Sequence, residues 1–254
     1  MHASHPLLFI SDLHLSVAIP KTVAAFEHFI DVTAAAAGAV YILGDLFEYW
    51  IGDDMLATPF AQQVARRLRT LSERGVALYL MQGNRDFLLG ARFAQASGAT
   101  LLPDPFVFDA FGQRIVLAHG DALCTADIGY QRFRRISHSA AGRRFFLSWP
   151  LKWRLALAER MRHKSETTWT EARLMSADVT RDAVTRLIRS SDASILIHGH
   201  THRPAVHRQV IDERPTERWV IPDWELDCGV PRGGYLVLDE RGVRTHALDP
   251  AIPA

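Results

Sequence analysis

The sequence predicts an α/β chain, and three observations carry the prediction. Five short apolar runs with β-branched residues have the length of buried strands, helical patterns separate the early ones, and every run ends in a residue able to bind a metal. The runs are LLFISDLH (7–14), AVYILGD (39–45), ALYLMQGN (77–84), RIVLAHGD (114–121) and SILIHGHTH (194–202). Between the second and third, Thr58 to Arg74 reads as a helix: Thr58 as N-cap, Pro59 in the first turn, Val64, Leu68 and Leu71 on one face, and Gly75 as the stop. Ligands of layered α/β folds gather at the carboxyl ends of strands, where loops carry polar groups without burying them. The five ends are therefore expected to converge on one site.

After His119 the alternation lapses for about seventy residues. A helical, Arg-rich stretch with Phe133, Phe145, Phe146, Trp149 and Trp153 takes its place and reads as an insert, which Pro150 breaks into separate helices. Taken singly, its aromatics are expected in a local core. From Trp219 onward, WVIPDWELD, GYLVLD and VRTHAL read as short strands closing a sheet, with the turn Pro231-Arg232-Gly233-Gly234 between them. Neither a repeat nor a low-complexity tract interrupts this order.

Composition narrows the function classes. With 254 residues and 48% hydrophobic content the chain can build one large core, or a core plus a smaller insert. Its longest apolar stretch, Ala34 to Leu43, falls short of the ~18 residues of a membrane span. The start lacks the charged and apolar parts of a signal peptide, and Cys124 and Cys228 stand far apart, so the expectation is a cytoplasmic chain with two ordinary buried thiols. Net charge is +1, but Tyr130 to Arg173 holds eleven Lys and Arg against three Glu, which leaves the remainder net acidic.

Asp12 and His14, two residues apart after a strand, can face one ion from a short loop. Asp45 adds a carboxylate with two oxygens, Asn84 a neutral oxygen, and His119, His200 and His202 imidazole nitrogens. This N/O set suits Mn²⁺, Fe²⁺ or Zn²⁺, and the lack of thiolates argues against structural zinc. Two ions about 3.5–4 Å apart can clamp the attacking and leaving oxygens of a phosphoryl centre. A single His or Gly-Asp after a strand is ordinarily a turn or a hydrogen-bonded structural residue; five successive strand ends of this kind point to metal.

The order DLH…GDLFE…GNRD…HGD…GHTH resembles the calcineurin-like metallophosphoesterases. The longer motifs FISDLHLS, YILGDLFEYWIGDD, GNRDFLLG, LAHGDALCTADIGYQRFR and LIHGHTHRPAVH are similar, over nearly the whole chain, to the branch acting on UDP-2,3-diacylglucosamine in lipid A biosynthesis. The resemblance implies one metallophosphoesterase domain over 1–254, a β-sandwich flanked by helices in four αββα layers, with a helical lid insert at about 125–190. It implies two Mn²⁺ per chain, one held by Asp12, His14, Asp45 and His202 and the other by Asp45, Asn84, His119 and His200, with Asp45 bridging. His198 is then left to packing or a supporting hydrogen bond. The implied reaction is hydrolysis of the pyrophosphate bond to UMP and 2,3-diacylglucosamine 1-phosphate, a metal-bridging hydroxide attacking the uridine-linked phosphorus. Asp45, Asn84, Arg85 and His119 carry the chemistry; Asn84, Arg85, Asp127, Ser165 and His200 contact substrate.

Arg85 stands where the wider superfamily commonly has His. A guanidinium is no ordinary general acid but grips phosphate bidentately, and a pyrophosphate's leaving group is a phosphate monoester that departs without a proton. Arginines interleaved with Phe and Trp suit acyl chains and an anionic bilayer surface alike, so the lid reading brings an expectation of peripheral attachment to the inner membrane. Trp169 and Ala172 depart from the Asn and Lys usual in that branch; the Lys role is either lost or passed to Lys164 or Arg173. Asp121 reads equally as a partner of His119 or a turn residue, and Asp223 and Trp224 have no derivable role. A metal-dependent nuclease with the insert gripping nucleic acid, or another phosphodiesterase of this fold, is the alternative enzyme; the acidic remainder and the insert's aromatics weigh against nucleic acid. A non-catalytic scaffold is the third reading, opposed by all seven ligand positions being filled. No obligate protein partner is evident.

Overall fold

A strand that is apolar on both faces needs one layer above it and another below. The computed structural model, which describes residues 5–166 and 178–248, supplies both. In the first sheet β1 (Leu7–Ile10), β2 (Ala39–Leu43), β3 (Ala77–Met81) and β4 (Thr100–Leu102) run parallel, and β10 (Gly234–Asp239) and β11 (Gly242–Ala247) extend it antiparallel beyond β1. The second has the order β5 (Phe106–Ala110), β6 (Gln113–Ala118), β7 (Ile195–His198), β9 (Arg214–Val220), β8 (Ala205–Ile211), with β6, β7 and β9 parallel.

Alternation along each strand divides the faces. Phe9, Tyr41, Leu43 and Met81 meet Ile115, Leu117, Ile195 and Ile197 between the sheets. Leu8, Ile10, Val40, Ile42, Leu78 and Leu80 face outward onto α1 (Pro20–His28), α2 (Pro59–Glu73) and α3 (Ala91–Ser97). On the other side Val116, Ala118 and Leu196 pack against Ala183, Val184 and Ile188 of α7 (Arg181–Ser191). The layers are αββα, as expected.

Thr58 caps α2 as its sequence predicts, its Oγ accepting from the Ala61 amide at 3.3 Å. The other two helices on that face borrow caps from distant loops. Ile19 and Gly90 offer no side-chain acceptor, so Asp227 takes the Lys21 and Thr22 amides at 3.0 and 2.9 Å, and Asp53 those of Gly90 and Arg92, both at 2.9 Å.

The insert contributes α4 (Ile128–Ser137), α5 (Ala140–Leu147) and α6 (Leu151–Glu166), with Pro150 in the break between the last two. Its arginines are partly anchors. Arg134 donates to Asp121 at 2.8 Å and to Asp104 at 3.2 Å, Arg143 to Gln82 at 2.8 Å, and buried Arg154 to Trp149 O, Ile51 O and Asp54. The expectation of a local aromatic core fails for Phe133, Phe145 and Trp153, which are 42%, 65% and 61% exposed; Phe146 packs on the main core instead. Helix α7, at the end of the 125–190 span, belongs to the outer layer of the second sheet. Trp169, Ala172 and Arg173, and the side chains of Lys164 and Ser165, lie outside the described residues.

Some elements differ from expectation. β4, β5 and β8 carry no run that marks them, and β9 ends at Val220, leaving Ile221 to Gly233 as a loop with one bridge, Glu225 to Arg232. Cys124 is buried but Cys228 is exposed, because it sits in that loop. Among the described residues no helix is long and apolar enough to cross a membrane.

Candidate metal centre

Asp12 and His14 follow β1, Asp45 follows β2, Asn84 follows β3, His119 follows β6, and His200 and His202 follow β7. The first four come from one sheet and the last three from the other, and all seven meet at the sheets' shared end. Backbone hydrogen bonds hold the loops together: the Leu13 and His14 amides donate to Asp45 O, both at 3.0 Å, and the Gly199 amide to His119 O at 2.9 Å. Gly199 lies so close to the β1 loop that a Cβ there would overlap Ser11 Oγ and Asp12 Oδ2. Nine non-glycine residues among those described have positive φ, and five of them are Asp12, His14, Asp45, His200 and His202. A left-handed backbone costs energy at such residues and persists where the surroundings enforce it, most often at functional sites.

The donor atoms fall into two clusters. Asp12, His14 and His202 have ligand atoms all within 4.8 Å of one another, as do Asp12, Asp45 and His119. Asn84 Oδ1 joins the second cluster, 3.0 Å from His119 Nε2 and 2.8 Å from His200 Nδ1. By distance, Asp12 is the carboxylate common to both.

The chemistry of these atoms fits cations. His202 Nδ1 lies 3.2 Å from Asp223 Oδ2, so a proton there leaves the Nε2 lone pair 3.3 Å from His14 Nε2 and 3.4 Å from Asp12 Oδ1. That Asp12 oxygen is buried without a hydrogen-bond partner. In the same way His119 Nδ1 donates to Leu43 O at 2.9 Å, which turns its Nε2 lone pair toward Asn84 Oδ1 and toward Asp45 Oδ2 at 3.8 Å. Acceptors that face one another need a proton or a metal between them.

A family model for calcineurin-like phosphoesterases matches residues 5–204. The UDP-2,3-diacylglucosamine hydrolase of Ralstonia nicotianae is 49% identical to the chain, over 96% of it and 93% of that protein. Those of Aeromonas salmonicida (48%; 85% of each chain) and Pseudomonas entomophila (44%; 93% and 96%) are similar too. The chain belongs to the calcineurin-like phosphoesterases, in the UDP-2,3-diacylglucosamine hydrolase family.

Protonation in this phosphoesterase follows the same geometry. Burial opposes charge on His119, but Asp45, Asp121 and Asp12 outweigh it and hold the ring up to about 9. Burial likewise opposes charge on His202, and the neighbouring carboxylates of Asp12 and Asp223 raise it to about 10. Burial lowers His14 and His200 to about 3, leaving both as neutral donors, and raises Asp45 to about 7. Against the burial of its own carboxyl, Asp12 is held well below the ordinary range by His202. Where those protons sit, a cation would displace them.

The other predicted residues whose side chains are described have different surroundings. Arg85 is half-exposed, its amide donating to Asp45 Oδ1 at 2.8 Å and its guanidinium 3.6 Å from Glu48. Asp127 caps α4, accepting from the Tyr130 amide at 2.8 Å. Asp121 is neither hydrogen-bonded to the His119 ring nor a mere turn residue: it accepts from Tyr130 Oη and Arg134, tying the insert to the loop after β6. His198 is fully buried, Nδ1 donating to Gly199 O at 2.8 Å and Nε2 accepting from Arg218 at 3.1 Å.

Sequence reasoning missed two contributors, Glu48 and Asp86, and left two more, Asp223 and Trp224, without a role. Glu48 lies 3.8 Å from His14 Nδ1, within the quoted GDLFE. Buried Asp86 takes the Gly83, Leu46 and Asp45 amides at 2.7, 2.9 and 3.2 Å and so joins two ligand loops. Asp223 accepts from His202 and Arg232, and the Trp224 amide donates to Asp12 O at 3.2 Å. Glu48 and Asp86 stand inside legible motifs; Asp223 and Trp224 reach the site only through the fold.

Proposed function

We propose that the chain hydrolyses the pyrophosphate bond of UDP-2,3-diacylglucosamine, releasing UMP and 2,3-diacylglucosamine 1-phosphate, with two Mn²⁺ held by the seven donors and Asp45 between them. The observation that carries this reading is the meeting of seven N/O donors beside Arg85, a guanidinium that offers charge and no transferable proton. The relatives' name supplies the substrate class. When bound, the cations supply Lewis-acid polarisation of the phosphoryl oxygens and a lowered pKa for water. The chain's own groups orient the reaction. Arg85 grips the pyrophosphate and stabilises charge on the leaving phosphate monoester; Asn84 and His200 face the same phosphate; His119, fixed by Leu43 O, keeps its Nε2 turned inward.

The insert completes the reading as a lid over the acyl chains. Ile128, Ile136, Phe145 and Trp153 expose apolar surface between arginines, a combination suited to lipid chains and an anionic bilayer and supporting peripheral inner-membrane attachment. Asp127 and Ser165 would meet the glucosamine.

Hydrolysis in ¹⁸O-labelled water tests the direction of attack. The label is expected on UMP; label on the lipid phosphate overturns the assignment of the uridine-linked phosphorus as the centre attacked.

A further inference from the structure

The loop after β2 is strung between two others. The Glu48 amide donates to Leu15 O at 3.2 Å, one residue beyond His14, and the Trp50 amide donates to Arg85 O at 3.0 Å. Glu48 is therefore rooted between a candidate ligand and the arginine assigned to the phosphate. Its side chain, only 20% exposed, turns one oxygen to each: Oε2 lies 3.8 Å from His14 Nδ1 and Oε1 lies 3.6 Å from Arg85 Nη1. A carboxylate so far out of water needs donors, and this geometry offers one to each oxygen. Both neighbours need Glu48 in turn. His14 Nδ1 is buried without a hydrogen-bond partner, while Nε2 faces His202 Nε2 at 3.3 Å inside the donor cluster. A histidine that ligates through Nε2 carries a proton on Nδ1, and an acceptor for that proton fixes the turn of the ring. Closing by about 1 Å would make Oε2 that acceptor. Arg85 has Glu48 as its one ion pair among the described residues, and a fork held at Nη1 keeps Nε and Nη2 for a phosphate. Glu48 itself stands in neither donor cluster, so it acts through its neighbours.

We propose that Glu48 is a positioning residue shared by the two halves of the site, one oxygen orienting the His14 ring toward a cation and the other aiming Arg85 at the pyrophosphate. The second half rests on the grip assigned to Arg85 above; the first stands on the donor cluster alone. One carboxylate serves both because both neighbours present donors, and only an acceptor with two oxygens can satisfy them together.

Two double-mutant cycles on the full chain test it. In the first, Mn²⁺ binding is followed by electron paramagnetic resonance. Glu48→Ala should weaken one of the two ions about tenfold, and should cost almost nothing more in a chain already carrying His14→Ala. In the second, UMP release from UDP-2,3-diacylglucosamine is measured at saturating Mn²⁺. Here Glu48→Ala should lower kcat/KM about tenfold on its own and less than about twofold beside Arg85→Ala. Glu48→Gln keeps one acceptor oxygen for two donors and should fall between in both cycles, and neither Glu48 variant should move the melt of the chelated protein. A loss that multiplies through with that of His14→Ala overturns the ligand half, one that multiplies through with that of Arg85→Ala overturns the phosphate half, and a melt lowered in both Glu48 variants reduces Glu48 to a structural residue. If the unsubstituted chain releases no UMP, the proposed hydrolysis falls and the first cycle alone decides Glu48.

Discussion

Asp12 and Asp45 divide the work of the centre in a way that single substitutions can read. Asp12 is common to both clusters by distance, whereas the proposed arrangement puts Asp45 between the ions. Asp45→Asn is expected to abolish binding of both Mn²⁺, and Asp12→Asn to leave one, as counted by electron paramagnetic resonance against protein concentration; the reverse pattern would hand the bridging place to Asp12. A carboxyl at the root of the insert reports on pH. Burial, then repulsion from Asp121, raises Asp104 from its ordinary 3.8 to about 6, although His119 and Arg134 pull the other way. Asp104 thus binds its proton more tightly folded than unfolded. Its contribution to stability is complete below about 3.8 and is lost as pH rises through about 6. Asp104→Asn should flatten that part of the urea-midpoint profile between pH 4 and pH 6, and an unchanged slope would remove Asp104 from the account. Arg85, the seven candidate ligands and even Glu48 lie inside motifs that can be read from the chain. Asp223 could not be, because nothing local to it says that His202 will arrive 3.2 Å away.

Helices α1 and α3 show why some elements were legible and others were not. Apolar periodicity and a Thr-Pro start mark α2, since its cap lies next to it in sequence. α3 takes its cap from Asp53, 37 positions away, and the same carboxylate accepts from the Trp50 indole at 3.1 Å. Asp53→Ala should therefore cost about 1–2 kcal/mol in chemical denaturation, toward the upper end for a cap because the buried indole also loses its partner. A loss below a few tenths would show that water replaces it without penalty. Strands obey a parallel rule. β1, β2, β3, β6 and β7 lie inside the sandwich and read as continuous apolar runs, while β8, at the edge of its sheet and exposed on both faces at His207 and Arg208, has neither run nor alternation to betray it. The left-handed residues of the ligand loops are likewise invisible to a residue-by-residue reading, since Asp and His at positive φ are imposed by neighbouring loops and not by their own preference.

At the scale of the molecule, the ligands come from both sheets, four from the first and three from the second. A bound cation therefore adds a tie between layers already joined by apolar contacts and by the hydrogen bond from the His119 ring to Leu43 O. Chelation should lower the melting temperature, and Mn²⁺ at about a hundred times its dissociation constant should restore roughly 2.7 kcal/mol per independent site. A melt indifferent to chelator would mean that the ions ride on a sandwich already closed without them. The insert is fastened at three separated points: Asp121 and Asp104 hold α4, Gln82 holds Arg143 of α5, and the loop after β2 holds Arg154 of α6. One of those fastenings, Asp121, is two residues from His119 and shares its electrostatic field. Anything that disturbs the charge on that ring is felt at the root of the insert; with the insert as the proposed lid, stripping the site of ions is expected to loosen the hold on lipid as well as to stop the chemistry.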